Sequence, residues 1–82
     1  MDVVHLCARL AEFGVEPRHL RTLRTSADRV AGLIEAVTAP ALRARSPERR
    51  KAGIEDLRLL GELTQELATL LLWRQLRRQI GE

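Results

Sequence analysis

The stretch Phe13-Gly14-Val15-Glu16-Pro17 most constrains how this chain folds, because it closes one helix, opens another and leads into an unbroken heptad. Gly14 suits the position just past a helix C-terminus, where a positive φ costs glycine little. Pro17 suits a first helical position, whose N–H lacks a partner in any case. From Leu20 onward, apolar or small residues recur at Leu23, Ala27, Val30, Ile34, Val37 and Ala41, in alternating steps of three and four. That rhythm marks a coiled-coil seam.

Three helices follow from the pattern, over about 2–13, 17–44 with a kink near Pro40, and 46–80, within one domain spanning 1–82. In the first, Val3, Leu6, Cys7, Leu10 and Phe13 share a side, with Asp2 as N-cap. In the second, Pro40 lacks an N–H and disfavours helical geometry at the residue before it, which gives the kink. Gly32 is read as a point where a neighbouring helix comes close, since a mid-helix glycine otherwise costs about 1 kcal/mol. Ser46-Pro47-Glu48 restarts the chain as a third helix with a hydroxyl cap, a first-position proline and a carboxylate at the positive end of the dipole. Gly53 is expected to fray its first turns. So few residues separate Ala44 from Pro47 that the two long helices fold back as an antiparallel hairpin.

The third helix carries apolar residues on two sides at about 100° per residue. Ile54, Leu57, Leu60, Leu63, Leu67, Leu70 and Leu71 make one broad face, and Leu72, Trp73, Leu76 and Ile80 lie roughly opposite. A single neighbouring helix covers one of these, so the split calls for a second covering surface. The expected fold is all-α, a short N-terminal helix followed by a long antiparallel helical hairpin that completes a bundle by dimerisation. Leu67, Leu71, Leu72, Trp73, Leu76 and Ile80 are assigned to the dimer interface, while Ile34, Val37 and Leu57 close the intrachain core. Trp73 is the anchor, since a large aromatic on an uncovered helix face has the character of a binding hot spot.

At 82 residues the chain builds a small core, which makes a partner subunit valuable. Its only aromatic residues are Phe13 and Trp73, and a core of Leu, Ala, Val and Ile suits packed helices. The formal charge is +3, but the 14 basic and 11 acidic residues are interspersed, as on a solvated helical surface. The single Cys7 forms no internal disulfide, no signal peptide is visible, and the apolar run Leu70-Leu71-Leu72-Trp73 is far too short to span a membrane. A cytoplasmic location, with no membrane partner, is expected.

The basic cluster Arg43, Arg45, Arg49, Arg50 and Lys51 sits around the hairpin turn and is the one candidate nucleic-acid contact. No recognition helix or stacking aromatic accompanies it, so a solvated loop competes as the reading. His5 and Cys7, two apart on a helix, point to different sides and make a poor metal site. Glu16 and His19 at a helix head are explained by capping and dipole effects. Glu62 and Glu66 resemble half of a di-iron carboxylate helix but lack the histidine that such a ligand set requires. No phosphate loop, catalytic triad or cofactor motif is present, so no catalytic, cofactor or metal residue is assigned and the chain is not read as an enzyme.

The run Leu10-Ala11-Glu12-Phe13-Gly14-Val15-Glu16-Pro17-Arg18-His19-Leu20-Arg21, with Arg24, Ala27-Asp28-Arg29 and Leu33-Ile34 after it, resembles the C-terminal region of MerR-type transcription regulators of the actinobacterial, FtsR-like branch. The resemblance is strong over about 6–42 and weakens to a shared helical pattern beyond. It implies a dimerisation or regulatory domain that reaches DNA only through an N-terminal winged helix-turn-helix absent from this chain, which would associate a full-length regulator with the nucleoid. In that family the C-terminal region is variable and senses a signal or adds contacts. One cysteine does not match the metal sensors and two aromatics do not supply a drug pocket, so no effector is named. A stand-alone helical adaptor using the same apolar face is the competing function, and a basic hairpin that binds nucleic acid a third.

Overall fold

A computed structural model describes residues 2–81, and Met1 and Glu82 at the ends of the expected domain lie outside the described residues. Three helices, α1 (Val3–Ala11), α2 (Pro17–Leu42) and α3 (Pro47–Gln79), account for the fold, with no strand among the described residues. The architecture is all-α.

Local chemistry sets each boundary. The Asp2 carboxylate accepts from the His5 N–H at 2.8 Å and caps α1. At its other end the Val15 N–H reaches the Leu10 carbonyl at 3.2 Å and the Gly14 N–H reaches Ala11 at 3.0 Å. These paired bonds form a Schellman closure around Gly14, whose φ of +90° the motif requires. α2 then begins with Pro17, and the Glu16 N–H donates to Nδ1 of His19 at 3.0 Å. For α3, Ser46 Oγ accepts from the Arg49 N–H at 3.3 Å and donates to the Glu48 carboxylate at 2.9 Å, with Pro47 in the first turn. Between α2 and α3, one Arg50 guanidinium nitrogen donates to the Ala44 and Arg45 carbonyls at 2.8 and 2.9 Å, tying the turn to the helix that follows it.

Pro40 lies inside α2, in its last turn. There it removes the hydrogen bond that the Ala36 carbonyl would otherwise accept, a loss kept to the hairpin end of the helix. Two residues before it, Thr38 is 3% exposed, and its hydroxyl donates back to the Ile34 carbonyl at 2.8 Å. This bond lets a polar side chain sit at the tightest part of the seam without an unmet donor.

α2 and α3 run antiparallel and make the only substantial helix-to-helix packing among the described residues. A methyl group placed on Gly53 would stand 2.9 Å from the Ala41 Cβ and 3.3 Å from the Ala41 carbonyl carbon and the Leu42 nitrogen. Gly53 is therefore the point of closest approach, buried and helical, rather than a fraying residue. Gly32, expected in that role, has nothing within 4 Å of the corresponding position. The seam continues through Ile34 and Val30 on α2 and through Leu60, Gly61 and Thr64 on α3.

Two residues assigned to the intrachain core stand outside it. Val37 is 62% exposed and Leu57 36% exposed, while Ile34 is half-buried at the seam. A straight α-helix drifts against a strict heptad, so the inward position after Ile34 is Thr38, four residues on, instead of Val37, three on.

Candidate interaction surface

Contact between the arms fades with distance from the turn. Thr38 and Gly53 are buried, Ile34, Val30, Leu60, Gly61 and Thr64 are half-buried, and every residue from Gln65 to Gly81 is exposed. On α2 the same holds from Arg21 to Arg29. The hairpin is closed at the turn and open at its free end, where a cleft of about 390 Å³ lies between Leu23, Ala27 and Val30 on one arm and Thr64, Gln65 and Ala68 on the other.

The consequence is a domain with no apolar residue buried among those described. Its radius of gyration is 16.7 Å, against about 12 Å for a compact chain of this length. It exposes 7472 Å², where a compact monomer of its mass exposes about 5000 Å². The excess, about 2500 Å², matches what one subunit gives up in a large obligate interface.

Exposed large apolar residues occur on all three helices, Val3, Val4, Leu33 and Val37 among them, and the longest run of them is on the outer half of α3. Leu67, Leu70, Leu71, Leu72, Trp73, Leu76 and Ile80 are all exposed, with Trp73 at 54% and Ile80 at 72%. A helix that is apolar around its circumference is one that other surfaces bury. Its side against α2 is filled mostly by small residues, Gly53, Gly61, Thr64 and Ala68, so the large leucines stand to either side of the seam. The small-residue seam carries no strong hydrophobic signal in the sequence.

The basic cluster divides by role. Arg50 is committed to the hairpin turn through its two carbonyl bonds, whereas Arg43, Arg45, Arg49 and Lys51 have exposed side chains free of such bonds among the described residues. Arg18 pairs with Glu16 at 3.0 Å, the only ion pair among the described residues. No cluster of three or more His, Cys, Asp or Glu among them is arranged to hold a metal ion, and no helix is long and apolar enough to cross a membrane. Cys7 lies half-buried in a groove of about 620 Å³ between α1 and the start of α2, lined by Val3, Leu6, Leu10, Leu20 and Leu23. Sequence reading missed this groove, because its walls come from two elements whose mutual angle the Gly14 closure sets.

Fold and surface together define an all-α hairpin domain that displays its apolar residues instead of enclosing them. The chain belongs to the family described as the Rv1828-like C-terminal domain, whose model matches residues 1–80. It is 45% identical over 69 residues to proteins of Mycobacterium bovis and Mycobacterium tuberculosis, named as the uncharacterized HTH-type transcriptional regulators Mb1859 and Rv1828. The match covers 83% of this chain and 25% of each relative, so the chain spans about a quarter of the length of these curated relatives. No solved structure matches the chain significantly.

Proposed function

We propose that this domain is the C-terminal dimerisation and regulatory unit of a MerR-type transcriptional regulator. Membership in a C-terminal domain family and the relatives' names as HTH-type transcriptional regulators support the regulator part of the reading. DNA contact then falls to another domain, and this one sets subunit pairing. The observation that carries the pairing is the outer half of α3, exposed on every side and studded with seven large apolar residues. Sequestering such a surface is worth roughly 25 cal/mol per Å² of apolar area, which disfavours an isolated monomer. Leu67, Leu71, Leu72, Trp73, Leu76 and Ile80 are the proposed interface, and catalysis has no part in the function.

Light scattering across a concentration series tests the proposal, on the native domain and on Trp73→Ala/Leu76→Ala. A native dimer whose variant dissociates while remaining helical supports it. A native domain that stays monomeric at all concentrations refutes it and turns the same surface toward a heterologous protein partner, as in an adaptor.

A further inference from the structure

α1 and α2 turn apolar faces toward one another without closing on each other. At about 100° per residue, Val3, Leu6, Cys7 and Leu10 share one face of α1, and Leu20, Leu23 and Ala27 lie along α2 opposite them. Between the two helices lies the groove of about 620 Å³, and Val3, Leu6 and Leu23 on its walls remain exposed. Among the described residues α1 makes no packing comparable with that of α2 on α3. Walls of this kind are stabilised by taking in an apolar body.

The charges around the groove are of one sign. Arg21 and Arg24, both on α2, are the only charged residues that line it. Neither takes part in an ion pair among the described residues, although Asp28 follows Arg24 by one turn. On the α1 side, Arg9 and Glu12, with Asp2 and His5, lie off the apolar face of that helix. Two free guanidiniums beside aliphatic walls, with no carboxylate in the lining, complement a ligand that is apolar along its body and negative at one end.

We infer that this groove binds a small organic anion, its aliphatic body seated between α1 and α2 and its carboxylate held by Arg21 and Arg24. A guanidinium presents paired N–H donors that match a carboxylate, and low-dielectric walls nearby strengthen the contact. The volume lies in the range of small-molecule sites, about 300–1,000 Å³. A helical protein segment fits less well, because α1 has only nine residues and frames a groove about 14 Å long at 1.5 Å per residue. An aliphatic body suits walls that carry no aromatic side chain for stacking. Such a ligand gives the regulatory part of the function above a chemical class, and the site stands whether or not the chain pairs.

Equilibrium dialysis of the whole 82-residue chain against dodecanoate, dodecanol and dodecyltrimethylammonium, each below its micellar concentration, tests the site. Dodecanoate is expected to bind saturably and roughly ten-fold more tightly than the alcohol or the cation. Arg21→Gln/Arg24→Gln should abolish that preference while the chain stays helical by circular dichroism. Arg74→Gln/Arg77→Gln, beside the apolar residues of the outer half of α3, should leave it unchanged. Cys7, the single thiol, reads the location, and its alkylation by iodoacetamide should slow roughly ten-fold at saturating dodecanoate. No saturable binding, equal binding of the three probes, or a preference that survives Arg21→Gln/Arg24→Gln would overturn the site. So would undiminished alkylation of Cys7, which puts dodecanoate on another apolar surface, or a Cys7 that reacts only in denaturant, which means that protein already fills the groove. Light scattering of the ligand-free chain reads pairing separately, so the ligand site and the dimer can fail independently.

Discussion

Gly53→Ala should destabilise the hairpin although alanine is the better helix former. In an open helix this exchange stabilises by about 0.5–1 kcal/mol, through backbone entropy lost in the unfolded chain. At Gly53 the new methyl would stand 2.9 Å from the Ala41 Cβ and 3.3 Å from backbone atoms of Ala41 and Leu42. None of these belongs to a flexible side-chain end, so α2 and α3 must separate to reach an ordinary carbon contact of about 3.5–4.0 Å. Overpacking of this kind costs about 1–3 kcal/mol, which leaves a net loss of about 1 kcal/mol. Gly32→Ala is the internal control, because nothing lies within 4 Å of its added methyl, and it should gain about 0.5–1 kcal/mol. The two variants therefore differ by about 2 kcal/mol, or roughly 8–16 °C in midpoint for a chain of this size. Urea unfolding followed by helical circular dichroism, at one fixed protein concentration so that association does not enter the comparison, reads the difference. Equal stabilisation by both substitutions would refute a close approach at Gly53.

Two further predictions concern single side chains. Thr38→Val should change stability by less than about 1 kcal/mol, because the hydroxyl bonds only to its own helix and the shape is kept, whereas Thr38→Asp at this buried position should prevent hairpin formation; thermal melts distinguish the two. Glu48 is held below the usual carboxylate range by its own backbone N–H and then by the Ser46 hydroxyl. Its contribution to the start of α3 is therefore full above that range and is lost as pH falls through the lowered value. Helicity titrated from neutral to acid pH should fall less in Glu48→Gln than in the native chain, and an identical acid limb in the two would rule out this role.

Much of the fold is legible from the sequence, because it is governed by neighbours along the chain. Asp2, Ser46, Pro17 and Pro47 specify helix starts through their own donors, acceptors and ring geometry. Phe13-Gly14-Val15 specifies the α1 closure through a backbone conformation that glycine adopts readily. The short connection after Leu42 makes the antiparallel return. Apolar periodicity gives α3 two apolar faces and lets α2 cover the one from Ile54 to Leu71, whereas the structure leaves Ile54, Leu63, Leu67, Leu70 and Leu71 of that face exposed beside a seam of smaller residues.

Only the tertiary structure decides which residues meet. Periodicity reports which residues share a face but not which face a partner takes, so it favours leucines over the small residues that let two backbones approach. The glycine of closest approach is Gly53 and not Gly32, and the inward residue after Ile34 is Thr38 and not Val37. Both results depend on the register and mutual angle of two helices, quantities set by their packing and invisible to either helix alone. The splaying of the arms beyond Val30 and Thr64 is of the same kind. It follows from how far the small-residue seam holds α2 and α3 together, and it leaves the outer half of α3 uncovered.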